Sequence, residues 1–294
     1  MSTAPLVLTP LRRAFLAALA LVIVGFGALS ASSEVYLSDP TKAAAKGREC
    51  VLDNTAYSPG ERITYKLYYN LNFIWIAAGE VVFSVDEYGD EYKLTAEGKT
   101  YGSYEWFFKV HDRYESYISK ETLLPRLSIR EIEEGKYTLY ERVEYDQQAG
   151  SGIGWRGKTR EEAMERPAEF TVGTCMHDVL SAIYFMRNID MAVAEPSEEF
   201  PVTVIMDRKT YPLDVRYVGL TGEKKIRGLG RFDVHELAPE LVVGDVFSDE
   251  SDMRVWASES ASHVPLMIES PISVGSVKAV LNEHKNLRHE IAAK

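Results

Sequence analysis

Three clusters in this sequence carry residue types that could do chemistry. Asp112 and Glu115 flank Arg113 within an aromatic-rich run from Tyr101 to Ile118; Glu131, Glu133 and Glu134 gather just before Gly135; Cys175 stands two residues ahead of His177. Two carboxyls in unlike environments are what general acid–base hydrolysis requires. A cysteine beside a histidine is what a thiol nucleophile requires. Each cluster also has a plainer reading. The glutamates read as the solvated tip of a hairpin. Cys175 and His177, two apart on a helix, would point to different sides, which leaves the histidine badly placed to activate the thiol. No Gly-x-Ser-x-Gly elbow, His-Glu-x-x-His pair, Cys-x-x-Cys pair or Asp-rich calcium loop occurs, so no metal or other cofactor and no serine nucleophile is expected.

The aromatic run sharpens the question about Asp112. Strand residues alternate between faces, which puts Trp106, Phe108, Val110, Asp112 and Tyr114 on one, inner face and Lys109, His111, Arg113 and Glu115 on the other. An isolated buried carboxylate is costly, so Asp112 needs a partner, and Arg130 on the next hairpin is the expected one. A structural ion pair that fixes strand register is favoured over a catalytic role. With Tyr65, Tyr69 and Trp75, these residues suggest a concavity: the candidate ligand cavity comprises Tyr65, Tyr69, Trp75, Trp106, Phe108, Asp112, Tyr114 and Arg130. Such a lining suits an acyl chain, an isoprenoid or a sugar face.

The elements that must hold these residues are mostly strands. Arg62–Tyr69 alternates with period two, Phe73–Val85 is more apolar with Gly79 marking a bulge or bend, and Tyr92–Ala96 follows a turn. Arg126–Ile132 and Tyr137–Tyr145 form a long hairpin with its tip at Glu133–Lys136. Phe200–Asp207 and Thr210–Val218 form another, and short strands continue at 224–227, 232–237, 252–257, 265–269 and 273–281. One short helix is expected around 174–188, N-capped by Thr174, with Met176, Val179, Leu180, Ile183 and Met186 at helical spacing. The pattern predicts an all-β, mainly antiparallel fold, a large curved sheet or barrel-like roll with that helix as plug or lid; a two-sheet β-sandwich is the alternative.

The amino terminus bears on compartment. Arg12 and Arg13 precede an uncharged apolar run, Ala14–Leu29, shorter than the ~20 residues that cross a bilayer, with small residues at Ala28 and Ser30. This reads as a secretory signal peptide. The expected organisation is a leader over 1–30, a lead-in over 31–56, one all-β domain over 57–284 and a tail over 285–294. In an exported chain the two cysteines, Cys50 and Cys175, favour a disulfide, worth about 4–5 kcal/mol if it closes so long a loop. The net charge of -11 argues against a nucleic-acid partner, because such binding depends on Lys and Arg neutralising phosphates. It also argues against adsorption to anionic lipid, so membrane association is peripheral at most.

Several phrases taken in order resemble one family. They are Gly60-Glu61 followed by Thr64-Tyr65, Ala78-Gly79-Glu80, Trp106–Val110 with Asp112–Tyr117, Leu123-Leu124-Pro125, Glu134-Gly135, Asp178–Ala182 and Val274–Lys278. Together they resemble the bacterial envelope family known only as domain of unknown function 3108, over about residues 50–281. His111 and Met176-His177 depart from its usual residues. The resemblance implies a mainly antiparallel β protein exported in Gram-negative bacteria, with no catalytic residues to carry over. The expectation is therefore non-catalytic binding of a lipid-like or glycan small molecule, in the periplasm or, alternatively, at the outer surface or outside the cell. Hydrolysis by carboxylates and an envelope scaffold are the alternatives.

Overall fold

The computed structural model describes residues 52–71, 74–105, 109–240, 253–271 and 276–294. Among these residues fifteen strands form one sheet. The first eight are β1 (Arg62–Leu71), β2 (Ile74–Tyr88), β3 (Glu91–Thr100), β4 (Val110–Ser119), β5 (Pro125–Glu134), β6 (Tyr137–Asp146), β7 (Ser151–Gly157) and β8 (Pro167–Thr171). The rest are β9 (Met176–His177), β10 (Glu199–Met206), β11 (Lys209–Ile226), β12 (Gly230–Pro239), β13 (Arg254–Ser258), β14 (Pro265–Pro271) and β15 (Ser276–Lys285). The chain starts in the middle of the sheet and meanders outward from β1 to β8. It then crosses to β9 and meanders back from β10 until β15 zips onto β1. Every pairing is antiparallel except β9 with β10.

The expected all-β, barrel-like architecture is what the chain adopts, as one open sheet rather than a two-sheet sandwich. Its edges are β8 and β9, yet side chains draw the two ends together. Gln147, after β6, donates to the Met176 carbonyl of β9 at 2.7 Å. The two-residue turn between β10 and β11, Asp207-Arg208, has positive φ at both positions, as the hairpin turn that matches strand twist requires. That turn inserts against β5 and β7, where Asp207 pairs with Arg130 and Arg156.

Gly79 lies where the β1–β2 register slips. A Cβ there would sit 2.3 Å from the Lys99 carbonyl oxygen, so only glycine permits the close approach of β3.

Among the described residues three short helices interrupt the strands: α1 (Gly102–Glu105), α2 (Arg160–Met164) and α3 (Val179–Met186). The helix expected around 174–188 is α3, but Thr174 does not cap it. Cys175 has φ +60, and Met176 and His177 pair with Thr203 and Val204, so the backbone is still extended there. Asp178 is the cap: its carboxylate accepts from the Leu180 and Ser181 amides, and the Ser181 hydroxyl returns to the Asp178 amide. This reciprocal box satisfies amides that the helix itself leaves unpaired.

Leu180 and Tyr184 of α3 join the main core with Ile63, Tyr65, Leu67, Val81 and Phe83. On the opposite sheet face the β11–β12 hairpin bends over: Lys224 stacks on Trp256 and Arg227 on Trp75. The C-terminal tail is tied down through Asn286 to Gly60 and Arg288 to Asn54. No helix among the described residues is long and apolar enough to cross a membrane.

Candidate functional site

Asp112 takes the inward position that alternation assigns it, but its partner differs from the expected one. On β4 it accepts from the Glu133 amide at 3.1 Å, and its side chain hydrogen-bonds the carboxyl of Glu134. Asp112 is 1% and Glu134 7% exposed. Burial first, and then the Glu134 charge, push Asp112 well above the usual carboxylate range; burial pushes Glu134 up to about 7. Two carboxyls this close share a proton rather than ionise together. Glu134 is therefore no part of a solvated tip; only its neighbours Glu131 and Glu133 meet solvent.

Arg130 is engaged elsewhere. Tyr114, Arg130, Glu141 and Arg156 lie directly opposite one another on β4, β5, β6 and β7. Arg130 pairs with Glu141 at 2.9 Å, Arg156 with Glu141 at 3.2 Å, and Asp207 from the β10–β11 turn bridges both arginines. The two guanidiniums hold the Asp207 carboxyl below its ordinary range even though burial opposes them. Two positive and two negative charges close on themselves, as buried charges must. This belt staples β10–β11 to β5–β7 and thereby holds the curl.

The space inside the curl lies beside α3 instead. A cavity of about 180 Å³ is walled by Val179, Ala182, Ile183 and Met186 of the helix, with Val202, Val204, Leu213 and Val215 facing them. Ile63, Tyr65 and Phe83 close it from β1 and β2, and Leu237, Val255 and Ile268 from the strands beyond. Few of its lining groups are polar. One is Arg187, just past the helix, whose guanidinium grips Glu61 through two bonds of 2.6 and 2.9 Å and donates to the Ser262 carbonyl. Another is Tyr184, buried with no hydrogen-bond partner for its hydroxyl among the described residues.

Of the residues expected around a cavity, Tyr65 lines this one. Arg130 belongs to the polar belt, Asp112 pairs with Glu134, Tyr114 packs in the main core opposite Arg130, and Trp75 lies on the far face between Arg227 and Lys278. Tyr69 is buried on β1 but does not line the cavity. Trp106, Phe108 and Cys50 lie outside the described residues, as does the amino-terminal leader. His177 is buried beside Phe185, its Nδ1 3.3 Å from the Ser181 hydroxyl, and burial pushes it down to about 3. Such an imidazole stays neutral, so it serves neither as a base for Cys175 nor as a charged group. Among the described residues, no group of three or more His, Cys, Asp or Glu could hold a metal. The cavity walls from β10–β13 are not legible in the sequence because their residues are mostly ordinary Val and Leu, indistinguishable by type from packed core.

A family model described as "Protein of unknown function (DUF3108)" matches residues 64–282. No curated protein matches the chain. Among solved structures, a β-barrel-like protein of domain of unknown function DUF1849 from Brucella abortus aligns with TM-score 0.50 and 8% identity, covering 77% of this chain and 97% of that one. At that identity the likeness is one of fold alone. A protein from Parabacteroides distasonis, provisionally described as a lipoprotein, is 12% identical over 81% of this chain and 100% of its own. Its TM-score of 0.29 is too low to carry an argument.

Proposed function

The chain belongs to the DUF3108 family, and from that premise we propose that it is a non-catalytic binding protein that houses the apolar part of a small envelope molecule beside α3. One observation carries this reading: an apolar cavity of about 180 Å³ lined by α3 and the facing strands. Close-packed interiors leave few voids larger than a water molecule. An engineered apolar cavity of about 150 Å³ stays dry and takes up benzene, so the space here suits a ring or a short alkyl group. Whole-ligand pockets are larger, about 300–1,000 Å³. The cavity therefore takes one end of a ligand and not a complete lipid.

Export belongs to the same proposal. It rests on Arg12-Arg13 and the apolar run after them, and an oxidising compartment would allow Cys50 to pair with Cys175, anchoring the approach to β9. Native mass spectrometry of protein purified gently from its own envelope tests the reading. A reproducible small-molecule adduct is the expected result. Repeated isolation without an adduct, together with no uptake of added alkanols, would sink it.

Hydrolysis has one observation in its favour, the hydrogen-bonded pairing of the buried Asp112 and Glu134 carboxyls. Against it, a substrate would have to reach side chains almost wholly shielded by the sheet. Asp112→Asn keeps an oxygen to accept from the Glu133 amide. If the pair is structural, this variant changes the pH dependence of stability; loss of a measurable glycosidase or esterase turnover at unchanged stability would favour hydrolysis instead.

A further inference from the structure

The walls of the cavity beside α3 are apolar except where Tyr65, Tyr184 and Arg187 meet it, with Glu240 and His263 beyond. We infer that the Tyr65 and Tyr184 hydroxyls donate hydrogen bonds to a neutral oxygen on the buried end of the ligand, so that the ligand class is a ketone, aldehyde or ester of a ring or short alkyl group. The inference rests on the proposed binding beside α3 and adds the functional group that the cavity recognises.

Both phenols are buried donors without an acceptor. Tyr184 is 1% and Tyr65 3% exposed. The Tyr184 hydroxyl has no hydrogen-bond partner among the described residues, and the Tyr65 hydroxyl makes no hydrogen bond to any of them either. Each ring is held by an edge-on neighbour: Tyr57 lies against Tyr184 with centroids 4.9 Å apart, and Phe83 against Tyr65 at 5.7 Å. Both phenols feel the charges of Glu61 and Arg187, and Tyr184 also feels Tyr65, so the two hydroxyls gather at the Arg187 end of the cavity. A buried donor left unpaired is costly, and native interiors satisfy most such groups. Two of them on the wall of one cavity point to an acceptor inside it.

The surroundings select a neutral acceptor. Burial above all holds both phenols above their ordinary range, so they keep their protons and donate. The Arg187 charge is already matched by Glu61 through bonds of 2.6 and 2.9 Å. An ionised carboxylate or phosphate would therefore lose its hydration without gaining a free counter-charge. An ammonium has no lone pair to accept from a phenol. An alcohol oxygen accepts, but its own proton would then need a partner in an apolar wall. A carbonyl oxygen has two lone pairs, one for each hydroxyl, and no proton or charge of its own to satisfy. The remaining walls, from Val179, Ile183, Val202 and Leu213, suit the ring or short alkyl group attached to it.

The test is calorimetric titration of cyclohexanone, and of methylenecyclohexane as its isostere without the oxygen, into the unaltered protein and the double variant Tyr65→Phe, Tyr184→Phe. The ketone is expected to bind the variant about tenfold more weakly, as loss of neutral hydrogen bonds dictates, while the hydrocarbon binds both proteins equally. In the unaltered protein the infrared carbonyl stretch of the bound ketone should lie below its frequency in hexane. Without ligand, removal of two orphaned hydroxyls should leave the denaturation midpoint unchanged or raise it. A ketone that binds both proteins equally, or whose stretch in the unaltered protein matches that in hexane, would overturn the assigned donors and leave the apolar cavity standing. A midpoint that falls in the double variant would show the hydroxyls engaged within the protein and overturn the inference in the same way. Failure of both ligands to bind the unaltered protein would remove the cavity reading and this inference with it.

Discussion

Asp112 and Glu134 show how a side chain's meaning depends on which neighbour it meets. Alternation from Trp106 placed Asp112 inward, and that is where it lies, yet Arg130 is committed to Glu141 and Asp207. The consequence is measurable. Glu134 stands at about 7 against an ordinary 4.5, so the native state holds this proton more tightly than the unfolded chain does. Its contribution to stability is fully present below about pH 4.5 and is lost as pH rises through about 7. Glu134→Gln should flatten that segment of a urea-denaturation profile and raise stability near pH 8 by about 1–3 kcal/mol. Substitution in the buried pair of Glu61 and Arg187 should destabilise instead. Glu61→Gln leaves a guanidinium buried without its counter-charge and should cost about 3–5 kcal/mol, read as a shift in denaturation midpoint.

At the scale of elements, α3 is held by its cap and not by its length. Asp178 accepts the Ser116 hydroxyl at 2.6 Å as well as two helix amides, tying the first turn of α3 to β4. Asp178→Ala should cost about 2–3 kcal/mol, beyond the ~1 kcal/mol typical of a lost cap, because the buried Ser116 hydroxyl also loses its acceptor. Asp178→Asn should recover part of it. Chemical denaturation of the two variants checks both.

Legibility in the sequence followed side-chain periodicity. The β4, β5 and β6 strands alternate clearly and were recognisable. The glycine-spaced β7, Ser151–Gly157, was not, because Gly152 and Gly154 occupy positions where a Cβ would strike Phe170 or Arg208. Close packing there has removed the apolar signal that would announce a strand. The start of α3 was misplaced for a related reason. Thr174 has the chemistry of a cap, and only the pairing of β9 with β10 shows that the backbone is still extended three residues later.

The whole molecule is a sheet that begins and ends at its own centre, with β1 and β15 joined and both free edges curled toward each other. Its long-range closure rests on Asp207 between Arg130 and Arg156, a link between residues too far apart in the chain for local pattern to reveal. The same holds for the cavity, whose walls come from α3 and from strands on both arms of the sheet. The aromatic run that seemed the best pointer to a site supplies Val110, Tyr114 and Ile118 to the main core, while aliphatic residues of no individual distinction enclose the space.

Filling that space is the most direct test. Ala182 projects from α3 into the cavity wall, and Ala182→Phe should occupy it, at about 1–3 kcal/mol of strain, with the circular dichroism spectrum unchanged. Titration of 1-hexanol into the unaltered protein and this variant is the decisive measurement. The expected result is saturable binding at one site, tightening by about 0.8 kcal/mol per added methylene until the cavity is full, and its loss in Ala182→Phe. Absence of saturable binding in the unaltered protein, or equal binding by both, would contradict the assignment.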